Sequence, residues 1–335
     1  MADALVNPAV AATMYGASAI AAGISIKKLH DENDSKKAPL MGIMGAFIFA
    51  TQMINFTIPG TGSSGHLCGG MLACAILGPY AGFLTMIGVL LIQGLFFADG
   101  GLLALGCNIW NMAFYGCFLG SFLFWKPLAG KKINPGKIFT ACILGCMFTL
   151  QLGAFSVVLE TLISGITELP FKFFIAAMQP IHLAIGFIEG LITSAVLCFV
   201  YNARPELFWG TSTENNGKMS YKATLITLGV CSIIIGGALS LFASSNPDGL
   251  EWSIEKITGS AELETAGQIY ENASNIQEAT SILPDYAFKN SETSFGTTFS
   301  GIVGALIIFG LCIGIGTVVK IIQKAKLKKK LTNNA

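Results

Sequence analysis

The chain has 335 residues, 53% of them hydrophobic and only 12% charged, with a mean hydropathy of +0.66. Soluble domains carry about 25% charged residues, so this composition excludes a soluble protein and places most of the chain in lipid. The net charge of +1 conceals a segregation: 17 of the 20 Lys and Arg fall in four clusters (Lys27 to Lys37, Lys126 to Lys137, Arg204 to Lys222, Lys320 to Lys330), while 9 of the 19 acids lie between Asp248 and Glu292.

A helix needs about 20 predominantly apolar residues to cross a bilayer, and backbone in lipid must satisfy its own hydrogen bonds. On that basis the first predicted span is Pro8–Ile26. From Ala38 to Ala98 no residue is charged, yet Pro59, Gly60, Gly62 and Gly65 and then Gly78-Pro79 interrupt the run. The expected segments there are Pro39–Thr57, a short His66–Leu77 and Tyr80–Ala98. Leu102–Trp125, Ile138–Leu162 and Met178–Tyr201 follow, then Ala223–Ala243 and Ser294–Val319. Nine segments with the N-terminus outside leave all four basic clusters in the cytoplasm, as the bias of short cytoplasmic loops toward Lys and Arg requires.

The expected fold class is therefore an all-α polytopic membrane protein, a seven-helix core followed by a two-helix transmembrane hairpin. The predicted divisions are 1–205, a polar cytoplasmic linker over 206–222, and 223–335. Within the last, residues 245–293 form an acidic extracytoplasmic segment, long enough for one or two short helices (Ala261–Tyr270 is one candidate) but not for a core of its own. No basic residue precedes the first apolar stretch, which disfavours a cleaved signal peptide. The nine Cys show no CxxC spacing, which argues against a zinc ribbon or a disulfide framework.

Several function classes can be weighed on residues alone. No Gly-x-x-x-x-Gly-Lys-Ser/Thr loop is present, so any ATP must be hydrolysed by a partner. Glu189 is the sole acid deep in a predicted span, with Glu160 and Asp99 near outer ends, so coupling to ions is weakly supported. The most informative stretch runs from Asn55 to Gly70, because Gly-rich backbone at membrane depth is tolerated only where it lines a cavity or lies in protein. His66 stands at its centre, either as a metal ligand reached from outside or as a helix cap bonded to a carbonyl. A second class is an intramembrane hydrolase using Ser64 and His66, but no motif for oxyanion stabilisation accompanies the pair.

Asn108 and Asn111, one helical turn apart, read either as a polar path or as glue between helices. His182 and Glu189, two turns apart on one face, read either as functional or as partners of neighbouring groups. Asp99, beside Gly100-Gly101, reads as a solvated turn.

Five pieces in order carry a resemblance: Met1 through Val10, the Gly-rich stretch ending Ser64-Gly65-His66-Leu67, Gln93 through Gly101, Asn108 through Met112, and His182 through Gly190. Together they resemble the substrate-binding membrane component of cobalt and nickel energy-coupling-factor transporters, the CbiM/NikM family, over about residues 1–205. Pro247-Asp248-Gly249-Leu250-Glu251 resembles the small companion subunit found beside or fused to these permeases. The resemblance implies uptake of Ni(II) or Co(II) across the cytoplasmic membrane, and cobalamin biosynthesis where cobalt is the cargo. It also implies a separate transmembrane coupling protein and ATPase subunits, with no resident cofactor and no nucleic acid. The implied donors are the N-terminal amine (here that of Met1), a His after the initiator Met, and the loop His, here His66. Nitrogen donors in a plane favour Ni(II) and Cu(II), with Co(II) behind, over the oxygen-seeking Mg and Ca.

One departure stands out: residue 2 is Ala where the family has His. Either translation starts two residues upstream, adding Met-His, or the chain is a variant in which Asp3, Met1 or Cys68 completes the site. Asn108, Asn111, Asp99, His182 and Glu189 are the candidate auxiliary or pathway residues.

Overall fold

The computed structural model describes residues 1–32, 36–130, 132–211, 217–261, 263, 265–289 and 295–333. Residues 212–216 of the expected linker, 290–293 at the end of the acidic segment and Ser294, the expected start of the last span, lie outside the described residues. So do the side chains of the last basic cluster, Lys320 to Lys330.

After a 3-10 turn over Asp3–Leu5, α1 (Pro8–Glu32) begins on Asn7, whose Oδ1 accepts the Val10 N–H at 2.8 Å, with Pro8 at the first helical position. α2 (Lys37–Gln52) stops five residues short of the predicted Thr57, because the chain turns into an antiparallel hairpin of β1 (Phe56–Ile58) and β2 (Ser63–Gly65). α3 (Gly70–Phe96) starts four residues after His66, which is therefore in extended chain rather than in the predicted short helix.

α3 is not one span. Gly78 sits at φ 80°, ψ 173°, followed by Pro79, and the halves fold back so that a Cβ on Gly82 would lie 3.2 Å from the backbone of Ala73. In a straight helix those residues would be about 13 Å apart. Two segments thus stand where two were expected, the first covering only 70–77. Trp209 packs against the bend so closely that a Cβ on Gly78 would lie 2.5 Å from its ring.

α4 (105–129) winds α-helically over Leu105–Asn108, as a π-helix over Ile109–Trp125 and α-helically again over Lys126–Ala129. α5 (Pro135–Ser164) and α6 (Phe171–Ala203) pack along their length and exceed the predicted spans at both ends. At about 45 and 50 Å they overreach a hydrocarbon layer of about 30 Å. α7 (Tyr221–Gly237) and the long α10 (Phe295–Asn333) pack on each other, and the pair also packs on α2. The acidic segment holds α8 (Gly249–Thr258) and α9 (Gln268–Thr280). The helix expected over Ala261–Tyr270 is misplaced: the chain is non-helical at 265–267, and Gly259 in the left-handed region ends α8.

The fold class is an all-α multi-pass membrane protein, with the β-hairpin as a local addition. Among the described residues five helices are long and apolar enough to cross a membrane, and Ile20, Phe139, Phe173 and Ile226 stand exposed on outer faces, as lipid contact demands. Charge is sorted by end. Met1, the turns at 59–62 and 97–101, Ser164, α8 and α9 gather at one end; Lys36, Lys126, Arg204, Trp209 and Tyr221 gather at the other.

Candidate metal site

The N-terminal segment is built into the protein. Leu5 and Val6 are fully buried, Asn7 N–H donates to Ser164 Oγ at 3.1 Å, and Tyr270 donates its hydroxyl to the Val6 carbonyl at 3.0 Å. The Met1 carbonyl accepts from Gly101 N–H at 3.1 Å and from Asn108 Nδ2 at 3.2 Å. Asp3 Oδ1 accepts the Ala104 N–H at 2.8 Å. Burial pushes the Asp3 carboxyl up, against the N–H groups of Ala104, Leu103 and Leu102 and the terminal ammonium, which favour its charge. Gly101 is obligatory at this junction, because a Cβ there would collide with Asp3 Oδ1. Asp3 thus fastens the 102–104 turn through Oδ1, while the terminal amine is within electrostatic reach of Glu160 and Glu251.

The hairpin loop forms the second half. Ser63 and Ser64 are wholly buried, and Ser64 binds the companion segment twice: its N–H donates to the Pro247 carbonyl at 2.8 Å and its Oγ to the Asn246 carbonyl at 2.8 Å. Trp252 Nε1 donates to the Thr61 carbonyl at 3.0 Å. Below, Gln52 Nε2 donates to the Cys68 carbonyl at 2.9 Å, and Gly69 N–H donates to Glu189 Oε1 at 2.9 Å. Glu189 lies 18 residues into α6, about 27 Å along it, so the loop reaches the middle of the bundle. Its backbone is tolerated at that depth because side chains from α2 and α6 satisfy it.

His66 is half-buried, with Nδ1 3.1 Å from the Leu67 carbonyl. A carbonyl can only accept, so the proton sits on Nδ1 and Nε2 carries the lone pair. That is the arrangement of a metal-binding imidazole oriented by its second nitrogen. It also corrects the hydrolase alternative: Ser64 Oγ is committed to Asn246 and His66 to Leu67, so the two do not form a dyad. His182 has the same tautomer, Nδ1 being 2.8 Å from the Met178 carbonyl, and its Nε2 edge packs under Gly249.

The remaining predicted residues separate. Asn108 holds Met1, whereas Asn111 Nδ2 donates to Glu160 Oε2 at 2.8 Å. Asp99 is exposed in the turn after α3, as expected, and it also accepts the hydroxyl proton of Tyr286 at Oδ2, while Tyr286 stacks on Phe97 with ring centroids 4.8 Å apart. Among the described residues no three side chains of His, Cys, Asp and Glu converge as a metal cluster.

Sequence reasoning missed Gln52, which anchors the loop, and the device within Pro247 to Glu251. Asp248 caps α8, accepting from Leu250 and Glu251 N–H at 2.8 and 2.9 Å, while Glu251 Oε2 accepts the Asp248 N–H at 3.1 Å. Asp-x-x-Glu is a readable capping-box signal. The box aims α8 between β2 and α6, closing the loop from outside, and Gln277 Nε2 clamps the Gly94 and Gly100 carbonyls at 2.9 and 2.8 Å.

The family described as cobalt uptake substrate-specific transmembrane region matches residues 1–207, and the PDGLE domain matches residues 222–321. A protein of Archaeoglobus fulgidus that bears the name of a fused nickel transport protein, NikMN, is 33% identical over 309 residues, 92% of this chain and 95% of its own. A cobalt transport protein, CbiM, of Sorangium cellulosum is 29% identical over 188 residues, 56% of this chain and 84% of its own. The crystal structure of a truncated transition metal transporter is similar with a TM-score of 0.51 and 28% identity, over 60% of this chain and 97% of its own.

Proposed function

The chain belongs to the CbiM family of cobalt uptake transmembrane regions and carries a PDGLE domain in the same polypeptide, and we propose that it is the substrate-specific component for high-affinity uptake of Ni(II) or Co(II) by an energy-coupling-factor transporter. The observation that carries this is His66, whose Nε2 lone pair is left open on a loop held by Gln52 and Glu189, in the half of the bundle where the Met1 carbonyl is also held. Residues 1–205 bind the metal, and 223–335 form the companion part joined through 206–222. Energy comes from a transmembrane coupling protein and ATPase subunits; carriers of this kind are thought to topple in the bilayer, which suits a site at one end of the bundle. Cells lacking their own nickel and cobalt uptake should accumulate either metal only when this chain is co-expressed with a coupling protein and ATPase of the energy-coupling-factor type. Accumulation with this chain alone would overturn the dependence on partners.

The acidic end faces outside the cytoplasmic membrane and the basic end inside, by the bias of Lys and Arg toward short cytoplasmic loops. Acidic residues at the outer end raise the local cation concentration, an attraction that salt screens. Ser274→Cys on α9 should be labelled on intact cells by a membrane-impermeant thiol reagent; labelling only after lysis would invert the orientation.

A further inference from the structure

A small cavity of about 10 Å³ lies beneath the loop, lined by Cys68, Met71, Asn111, Met112, Thr149 and Glu189 among others, and that size admits one water-sized occupant. Glu189 is 1% exposed and Asn111 7%. Each has one polar atom without a partner, Glu189 Oε2 and Asn111 Oδ1. Their other atoms are committed, Glu189 Oε1 to Gly69 N–H and Asn111 Nδ2 to Glu160, and Thr149 Oγ1 donates its proton to the Gly145 carbonyl. With Glu189 ionised, the cavity therefore presents lone pairs from three side chains and no side-chain N–H or O–H of these residues. In that state the lining suits a cation, or a water donating both protons.

Glu189 caps the first half of α3 by accepting from Gly69 N–H, and that accounts for one oxygen. The second is left buried and unpaired, which costs about 1–3 kcal/mol or more in an apolar surround. No Lys or Arg forms an ion pair with Glu189 among the described residues. A cation satisfies the charge and both acceptors at once. Cys68, Met71 and Met112 add sulfur to the wall, which suits a borderline transition metal better than Na, K or Mg. Asn108, which holds Met1, and Asn111, which faces the cavity, are one turn apart on α4.

We infer that this cavity is a second, inner transition-metal site for the transported ion, with Glu189 Oε2 and Asn111 Oδ1 as its oxygen donors. The inference rests on the transport reading, but it is scored separately. The full chain, purified in detergent, is dialysed to equilibrium against Co(II), and bound metal and its visible absorption are measured. His66→Ala removes the outer site, so what that variant still binds reports the inner one. Glu189→Gln, which keeps an acceptor for Gly69 N–H, introduced into the His66→Ala chain should abolish the remaining Co(II) and its absorption. Asn111→Ala in the same chain should weaken binding by about 10-fold or more, on the scale of a lost supporting ligand, and serves if the Glu189 variant does not fold. A His66→Ala chain that binds no Co(II), or one whose Co(II) survives both further substitutions, overturns the inner site and leaves a water in the cavity. Unchanged total binding on His66→Ala, lost on the further substitutions, supports the inner site and counts against the outer one alone.

Discussion

Replacing His66 by alanine is expected to lower the affinity for Ni(II) and Co(II) at the outer site by at least about 100-fold, while the protein remains folded in detergent. The magnitude follows from what is removed. Altering groups that merely orient a ligand already costs about 10–100-fold, and here the ligand itself goes. The fold should survive because the ring makes one hydrogen bond, from Nδ1 to the carbonyl of the next residue, and is only half-buried. That bond contributes about 1 kcal/mol. The loop is held by other groups: Gln52 on the Cys68 carbonyl, Glu189 on Gly69 N–H, and Pro247 and Trp252 on the hairpin. Titration of the wild-type and variant chains with both metals checks the affinity, and a thermal unfolding scan of the same samples checks the fold. Equal affinities in two folded samples would remove His66 from the site.

The membrane class, the break at Gly78-Pro79 and the sorting of charge by end were legible because each rests on a local rule: hydropathy over a helix length, the incompatibility of Gly-Pro with a helix interior, and the clustering of Lys and Arg. The importance of the loop before Gly70 was legible for the same reason, since closely spaced glycines in an uncharged run break the helix that lipid would otherwise demand. What sequence left dark depends on partners distant in the chain. The Thr57 to Gly65 turn becomes a hairpin because the segment entering α8 supplies the Asn246 and Pro247 carbonyls to Ser64, and α8 itself supplies an indole to Thr61. The exposed turn at Asp99 also accepts a hydroxyl proton from Tyr286, a partner 187 residues away that no local rule reveals. Asp3 looks available as a ligand until the turn at 102–104 takes its carboxylate. α5 and α6 run past the predicted spans with residues that are still largely apolar, Phe171, Phe173 and Phe174 among them, so the length of a helix is set by more than the length needed to cross lipid. The capping box in Pro247 to Glu251 is different: it was readable, and its role as a joint between the two family regions emerges only when α8 is seen against β2 and α6.

Adding Met-His ahead of Met1 is expected to convert weak metal binding into tight binding, and placing a tag ahead of that His should abolish the gain. Amine, adjacent amide nitrogen and imidazole close small chelate rings only when they are consecutive along the chain, and acylation by a tag turns the basic amine into an amide. Such a nitrogen set favours Ni(II) and Cu(II) over Co(II), so the gain should be larger for Ni(II). In the chain with Ala2, the fold positions Met1 but supplies no second imidazole next to it. Asp3 Oδ1 is bound to Ala104 N–H, which leaves Oδ2 as the oxygen that could serve. Binding should then be weak and depend on the terminal amine and His66 with a nearby oxygen or sulfur, Asp3 or Cys68, in place of the missing imidazole. The extension should be accommodated, because Gly101 and Asn108 hold the Met1 carbonyl rather than its amine, leaving that side of the residue to carry additional chain. Isothermal titration of the two chains and of the tagged extended chain with Ni(II) makes the comparison. If the chain with Ala2 binds as tightly as the extended one, the N-terminal chelate does not operate in this protein, and the high-affinity donors have to be sought elsewhere, starting with His182 and Glu189, whose Oε2 is without a partner.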